Sequence, residues 1–194
     1  MAKRVFFSFH HDDVKSFRAN VVRNHWLLKP NRESAGFFDS SIWEKAKKTG
    51  PIALKRMINS GLKNTSNTCV LIGTGTYLRP WVRYEILKSM KIGNHIFGVH
   101  INGIKDKTKQ TKNLGKNPFD YLGVKYNDDG TRLTLCQYKN GKWYEYNEID
   151  GSASYSIKTT SKSKHGKFFK LSHFYKTYKW NKDKGYDNFA NWTK

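Results

Sequence analysis

The stretch TCVLIGTGTYLRPWVRYEILKSMKIGNHIFGVHI, Thr68 to Ile101, reads as strand, turn, helix and strand, and it decides the fold class. Thr68 to Thr74 is an apolar run that ends in a glycine-bracketed turn. Pro80 suits the first position of a helix, Val82, Ile86 and Met90 recur at four-residue spacing, and Gly93 closes it. His95 to Ile101 is the next strand. The same alternation runs upstream. Strand signals fall at Arg4 to Phe9 and Gly36 to Asp39. Asp12 or Asp13 can cap a helix through Val14, Phe17, Val21 and Val22 to about Leu28, where Lys29-Pro30 stops it. Ser40 or Ser41 can cap a short segment containing Trp43, and a helix follows Pro51 with Leu54, Ile58 and Leu62 on one face. This βαβαβαβ order predicts an α/β fold with a mostly parallel central sheet flanked by helices. Sheets of that kind hold ligands at the carboxyl ends of their strands, so the loops after Phe9, Asp39 and Thr74 are where function is expected.

From Tyr121 onward the pattern changes. YLGVKY, NDDG, RLTLCQY, KNG and KWYEY alternate strand and turn signals and predict a C-terminal β-meander. SASYSIKTTSKSK reads as a mobile loop. The tail from Lys167 to Trp192 carries nine aromatic residues among many lysines, and its rings are expected to pack onto what precedes them. The division expected is an α/β core over residues 1–120 and a meander with an aromatic, basic extension over 121–194, packed as one unit. The 194-residue chain can bury roughly 70% of its unfolded surface.

The formal net charge is +21 and the sequence pI about 9.9, with a mean hydropathy of −0.77. The charge is spread evenly: residues 1–97 carry 17 basic and 6 acidic side chains, residues 98–194 carry 19 and 9. Local concentrations occur only at Lys105 to Lys116 and Lys158 to Lys170. That distribution points to a solvated surface rather than a dedicated nucleic-acid patch. Cys69 and Cys136 form no paired metal or redox motif. The apolar run Val5 to Phe9 is too short for a signal peptide's core or a membrane span, so a cytoplasmic protein without membrane partners is expected.

Phosphate-loop, zinc-protease and hydrolase-elbow motifs are absent. Gly73-Thr74-Gly75 begins like a dinucleotide fingerprint but lacks the third glycine and the later acidic residue, and so reads as a tight turn. RPWVRYEI is more specific. Trp81 and Glu85 are four apart on a helix and share a face, with Glu85 only roughly 60° from the stripe led by Val82. A carboxylate half-buried beside an indole suits contact with ribose hydroxyls or a developing sugar cation. The competing reading is an exposed Glu85 paired with Lys88 or Arg83 on the helix surface.

Several motifs resemble those of TIR (Toll/interleukin-1 receptor) domains. RVFFSFHHDD resembles their first strand and loop, GFFDSS their second strand and the loop beyond it, and RPWVRYE their W-x-x-x-E helix. VVRNHW, CVLIGTGT, WVRYEILKS, NPFDYLG and the end at Tyr175, Tyr178 and Trp180 extend the resemblance over nearly the whole chain, to the TIR-like proteins of bacterial Thoeris antiphage systems. The chain departs from many TIR domains in carrying Phe9-His10 where they have a tyrosine and a small polar residue.

The resemblance implies a flavodoxin-like TIR fold. It also implies an enzyme that takes NAD+ as substrate, needs no other cofactor or metal, breaks the nicotinamide–ribose bond and releases a cyclic ADP-ribose isomer. That messenger would act on a separate Thoeris effector once a phage-derived trigger is sensed, in a protein that can form homo-oligomers. Carried over by motif, Glu85 is the catalytic carboxylate and Trp81 its ring neighbour. Phe6, Ser8, Phe9 and His10 line the first-strand side of the pocket, and Asp39 and Ser40 lie on the second loop. From the residues alone other roles remain open: Phe6 as core, Ser8 as a partner for backbone groups, and Asp39 with Ser40 as a helix cap. Adjacent His10 and His11 face apart on an extended chain, so they make no metal site. Two other functions stay open at this stage, a non-catalytic TIR assembly module and a basic nucleic-acid binder.

Overall fold

A computed structural model describes residues 3–37 and 40–193, with the side chains of 3 and 40–42 left out of the description. The expected alternation is present. Strands β1 (Lys3–Ser8), β2 (Arg32–Ala35), β3 (Asn67–Ile72) and β4 (His95–His100) pair in parallel in the order β4-β3-β1-β2. The helices between them are α1 (His11–Lys15), α2 (Arg18–Leu27), α3 (Ser40–Thr49), α4 (Pro51–Leu62) and α5 (Pro80–Lys91). Phe6 and Phe7 point to opposite faces of β1, as strand alternation requires, and each is fully buried in a different apolar cluster. Both faces of the sheet are therefore covered.

Three details differ from the sequence reading. The second strand is Arg32–Ala35, one segment earlier than Gly36 to Asp39, because Arg4, Val5 and Phe6 pair with Glu33, Ser34 and Ala35 and the chain leaves the sheet at Gly36 (φ +87°). The first helix is split. Phe17 takes a left-handed conformation (φ 64°), which separates α1 from α2 and is uncommon for a bulky residue. Asp12 and Asp13 lie in the first turn of α1, not at its cap, which is His10.

The meander forms a second, antiparallel sheet. Here β5 (Leu122–Tyr126), β6 (Arg132–Lys139) and β7 (Lys142–Glu145) follow one another, β8 (Ser154–Ser156) pairs with β6, and β9 (Phe168–Lys170) pairs with β5. The segment read as a mobile loop thus supplies a strand. Leu122, Val124, Leu133, Leu135, Tyr146 and Ile149 join Phe6, Ile58, Val82 and Ile86 in one apolar cluster, so this sheet packs against the α4/α5 side of the core.

The tail crosses back to the first sheet. Its strand β10 (Thr177–Lys179) adds in parallel to the free edge of β4 and completes a five-stranded sheet. Gly98 permits this, since a Cβ there would lie 2.7 Å from Ile72 Cδ1 and 2.9 Å from Thr177 Cγ2. Helix α6 (Gly185–Trp192) then packs on the opposite face from the meander. Trp180, Phe189 and Trp192 are buried with Phe7, Trp26 and Phe97, and Phe7 and Phe189 stack at 6.1 Å. No helix among the described residues is long and apolar enough to cross a membrane.

Candidate active site

The parallel sheet delivers Ser8 at the carboxyl end of β1, and α5 crosses that end. Pro80 sets the helix start, Val82, Ile86 and Leu87 bury its inner face, and Lys88 and Lys91 near its end both reach Asp150, at 3.5 and 2.9 Å. Glu85 is carried inward with this face and is only 5% exposed. The Ser8 hydroxyl donates to its Oε2 at 2.5 Å. The surface pairing with Lys88 or Arg83 does not form: Lys88 is engaged by Asp150, and Arg83 donates to the Gln137 side chain and the Tyr77 carbonyl.

Burial pushes the Glu85 carboxyl up to about 8, with the Ser8 hydroxyl pulling the other way. No cation pairs with it in any ion pair among the described residues. Its exposed fraction opens on a hollow of about 40 Å³ lined by Phe9, His11, Gly36, Trp43 and Glu85. Phe9 rests against Phe37 at 4.4 Å, and the Arg23 guanidinium lies 4.7 Å over the Phe37 ring. The hollow has room for a water or two and not for a pyridine ring with its sugar.

Of the residues named from the sequence, Ser8, Phe9 and Glu85 come together here. His10 does not line the hollow. Its Nδ1 is 3.5 Å from the Asp12 carboxylate, and burial and the nearby Arg79 hold its pKa below the usual histidine value. Phe6 is fully enclosed in the core and lines no part of the hollow, because both faces of β1 are covered. Trp81 is one turn before Glu85 on α5, yet it lines a different hollow, with its ring 6.0 Å from that of Tyr84. A first-turn side chain leans towards the helix N-terminus. Asp39 lies outside the described residues. Ser40 is the first residue of α3, and its side chain is not described.

His11, Gly36, Phe37 and Trp43 were not singled out as site residues. For His11 a signal existed: consecutive residues face apart, so only one of the two histidines could turn to the pocket. A second buried carboxylate was also missed. Asp13 is packed over the turn after β3, where a Cβ on Gly73 would sit 2.3 Å from its carboxylate, and burial pushes Asp13 up to about 6. The adjoining basic loop is tied down by Arg18, which donates to the carbonyls of Ile104 and Gln110 at 2.8 and 2.6 Å and to Asp106 at 3.0 Å. Among the described residues no group of three His, Cys, Asp or Glu side chains is arranged to hold a metal ion.

A parallel sheet with a buried serine–glutamate pair at its carboxyl edge, the glutamate carried on a W-x-x-x-E helix, defines a TIR-type α/β protein. The family model described as Thoeris protein ThsB, TIR-like domain, matches residues 6–106, and the chain belongs to this family. It is also 55% identical over 193 residues, 99% of either chain, to ThsB1 of Bacillus cereus (strain MSX-D12), which is named as a proposed cyclic ADP-D-ribose synthase.

Proposed function

We propose that the chain is an NAD+-cleaving cyclase of the Thoeris system, which makes a cyclic ADP-ribose isomer as a second messenger. The observation that carries this reading is the buried Glu85 held by Ser8 at the carboxyl end of β1. The near full-length likeness to a protein named as a cyclic ADP-ribose synthase supports it.

Cleavage breaks the bond between ribose C1′ and the nicotinamide nitrogen. The bonding pair leaves with the now neutral ring, and C1′ becomes cationic until a nucleophile from the adenylate half of the same molecule closes the ring. An anion fixed in a water-poor site stabilises that cation far more than a solvated one would. Glu85 is poised for this. Its burial disfavours the ionised form in the absence of substrate, whereas a cationic nicotinamide riboside alongside would favour ionisation, so the charge develops where it is needed. Ser8 fixes the carboxylate rotamer through Oε2. Phe9, Trp43 and His11 supply ring walls for the substrate, and His10 lies beside Asp12.

The small volume of the hollow suits an enzyme held idle until infection. To admit NAD+ to Glu85 this hollow has to widen, and a phage-derived trigger or self-assembly of the chain would supply that change. NAD+ serves as substrate with no further cofactor or metal, the product acts on a separate Thoeris effector, and the reaction takes place in the bacterial cytoplasm. Mass spectrometry of small-molecule extracts from phage-infected cells tests the reading. Cells expressing the wild-type chain should contain a new ADP-ribose-derived species that cells expressing Glu85→Gln lack. The species in both, or in neither with soluble protein and several phages tried, would overturn it.

A further inference from the structure

A further cavity lies at the opposite edge of the parallel sheet from Glu85. Arg32 opens β2 and pairs with Lys3, the first residue of β1, whereas Ser8, which holds Glu85, is the last residue of that strand. At roughly 3.3 Å per residue, about 16 Å of strand separates the two ends. The cavity has a volume of about 500 Å³, within the range of small-molecule sites, and lies between the end of α2, the turn that follows it and helix α6. His25, Lys29, Arg32, Tyr186, Asp187 and Phe189 are among its lining residues. Trp26 lines it too and is fixed in place: it is 1% exposed, and its indole N–H donates to the Glu33 carbonyl at 2.7 Å. The Arg32 guanidinium lies 4.5 Å over the Trp26 ring. Its Nε is enclosed and meets no acceptor, and no carboxylate pairs with the guanidinium among the described residues.

An arginine held in this way lacks an anion. With one face of the guanidinium on Trp26 and Nε enclosed, the two terminal nitrogens remain to donate, and a planar acceptor with two oxygens fits that pair. The charges around it set the valence. Lys29 forms no ion pair among the described residues, and Asp187 is the one carboxylate that lines the cavity and is likewise unpaired. Burial, together with Lys29, holds the His25 pKa below the usual histidine value, so that ring is neutral at neutral pH. Lys29 and Arg32 thus leave one positive charge uncompensated, which a monoanion would match. The remaining walls are rings: Tyr186 meets His25 edge-on at 5.2 Å, and Phe189 lies beside Trp26 at 5.6 Å. We propose that this cavity binds a small aromatic carboxylate, its two oxygens against the terminal nitrogens of Arg32 and the Lys29 ammonium, and its ring against Tyr186 and Phe189. Such a ligand joins α2, β2 and α6 at the edge of the sheet away from Glu85, so the proposal does not rest on the cyclase reading.

The test uses the full-length chain labelled with 15N, with naphthaleneacetate as probe. The Arg32 Nε–H signal, sheltered from solvent by its burial, is assigned by its disappearance in Arg32→Lys. Naphthaleneacetate should shift that signal saturably. By calorimetry, Arg32→Lys, which keeps the charge and loses the fork, and Lys29→Ala should each weaken binding at least about threefold. Naphthaleneacetamide, the uncharged counterpart with the same rings, should bind at least about tenfold more weakly than the acid. Naphthyl phosphate, a dianion, should bind no more tightly than the carboxylate. Lys29 is exposed, so its variant and the amide keep the test decisive should Arg32→Lys fail to fold. No saturable shift of the Arg32 signal, an amide that binds as well as the acid, tighter binding of the phosphate, or an affinity left unchanged by Lys29→Ala would each overturn the proposal. Loss of the cyclase reading would leave all four results as they are, because neither Lys29 nor Arg32 lines the hollow at Glu85.

Discussion

The two hollows beside α5 are built on opposite terms. The smaller holds a buried carboxylate, a serine hydroxyl bonded to it at 2.5 Å and an aromatic wall, in about 40 Å³. The larger has more than ten times the volume, and its buried charge is a cation, Arg83. Chemistry without room and room without a reactive group lie along the same helix. Trp81 and Glu85, four residues apart, line different hollows, Trp81 the larger and Glu85 the smaller. The difference teaches that the two hollows differ in volume: the smaller is too tight for a nucleotide, and the larger has the size of a small-molecule site.

The sharpest way to break this division is to remove the charge from the smaller hollow. Glu85→Gln should lower cyclase turnover by at least about 10²–10³-fold, the scale for loss of one preorganised electrostatic group. Product measured by mass spectrometry checks it. The same variant should be more stable than the wild type at alkaline pH. Glu85 has a folded pKa of about 8, above its unfolded value, so the native state retains a proton that the unfolded chain has lost between pH about 4.5 and 8. Its contribution to stability is intact below that window and is lost as pH rises through it. Thermal or urea unfolding should show Glu85→Gln ahead by roughly 2–4 kcal/mol at pH 8, the gap closing towards pH 5.

Ser8→Ala sharpens the comparison by a smaller step. The hydroxyl favours the ionised carboxylate, so its loss should raise the Glu85 pKa further and cut turnover about tenfold, a cost near that of one hydrogen bond to a charged group. The acidic limb of the pH dependence of kcat/KM should move to higher pH. An unshifted limb would mean that Ser8 serves packing alone.

How much of this was legible in the sequence follows from where the information lies. Four-residue spacing in Val82, Ile86 and Met90, and in Leu54, Ile58 and Leu62, is a local signal, and both helices fall where that spacing puts them. Glu85 was reachable because the helix phase carried it towards the core. The strand at Arg32–Ala35 was not: RESA is polar and short, and only pairing with β1 makes it a strand. Nor could the tail's return be read, since Thr177–Lys179 gains its partners from β4, nearly eighty residues earlier, through the gap left by Gly98. The larger hollow depends on Arg83 meeting Gln137 across 54 positions, which no local pattern encodes.

Trp43 offers the last and smallest test, and it bears on why the hollow at Glu85 is so small. Its ring belongs to α3, after the chain has left the sheet at Gly36, and it lines the hollow opposite Glu85. If closure is what keeps the enzyme idle, trimming that wall should relieve it without touching the carboxylate. Trp43→Ala should then raise turnover in uninfected cells or in purified protein by a few-fold, while truncating a partly buried ring lowers stability by up to about 3 kcal/mol. Because the same ring is also a candidate wall for the substrate, the gain should appear in basal kcat with a higher KM for NAD+. Basal activity that stays at background with a folded protein would place the restraint elsewhere, in the Phe9–Phe37 contact or in the need for a second copy of the chain.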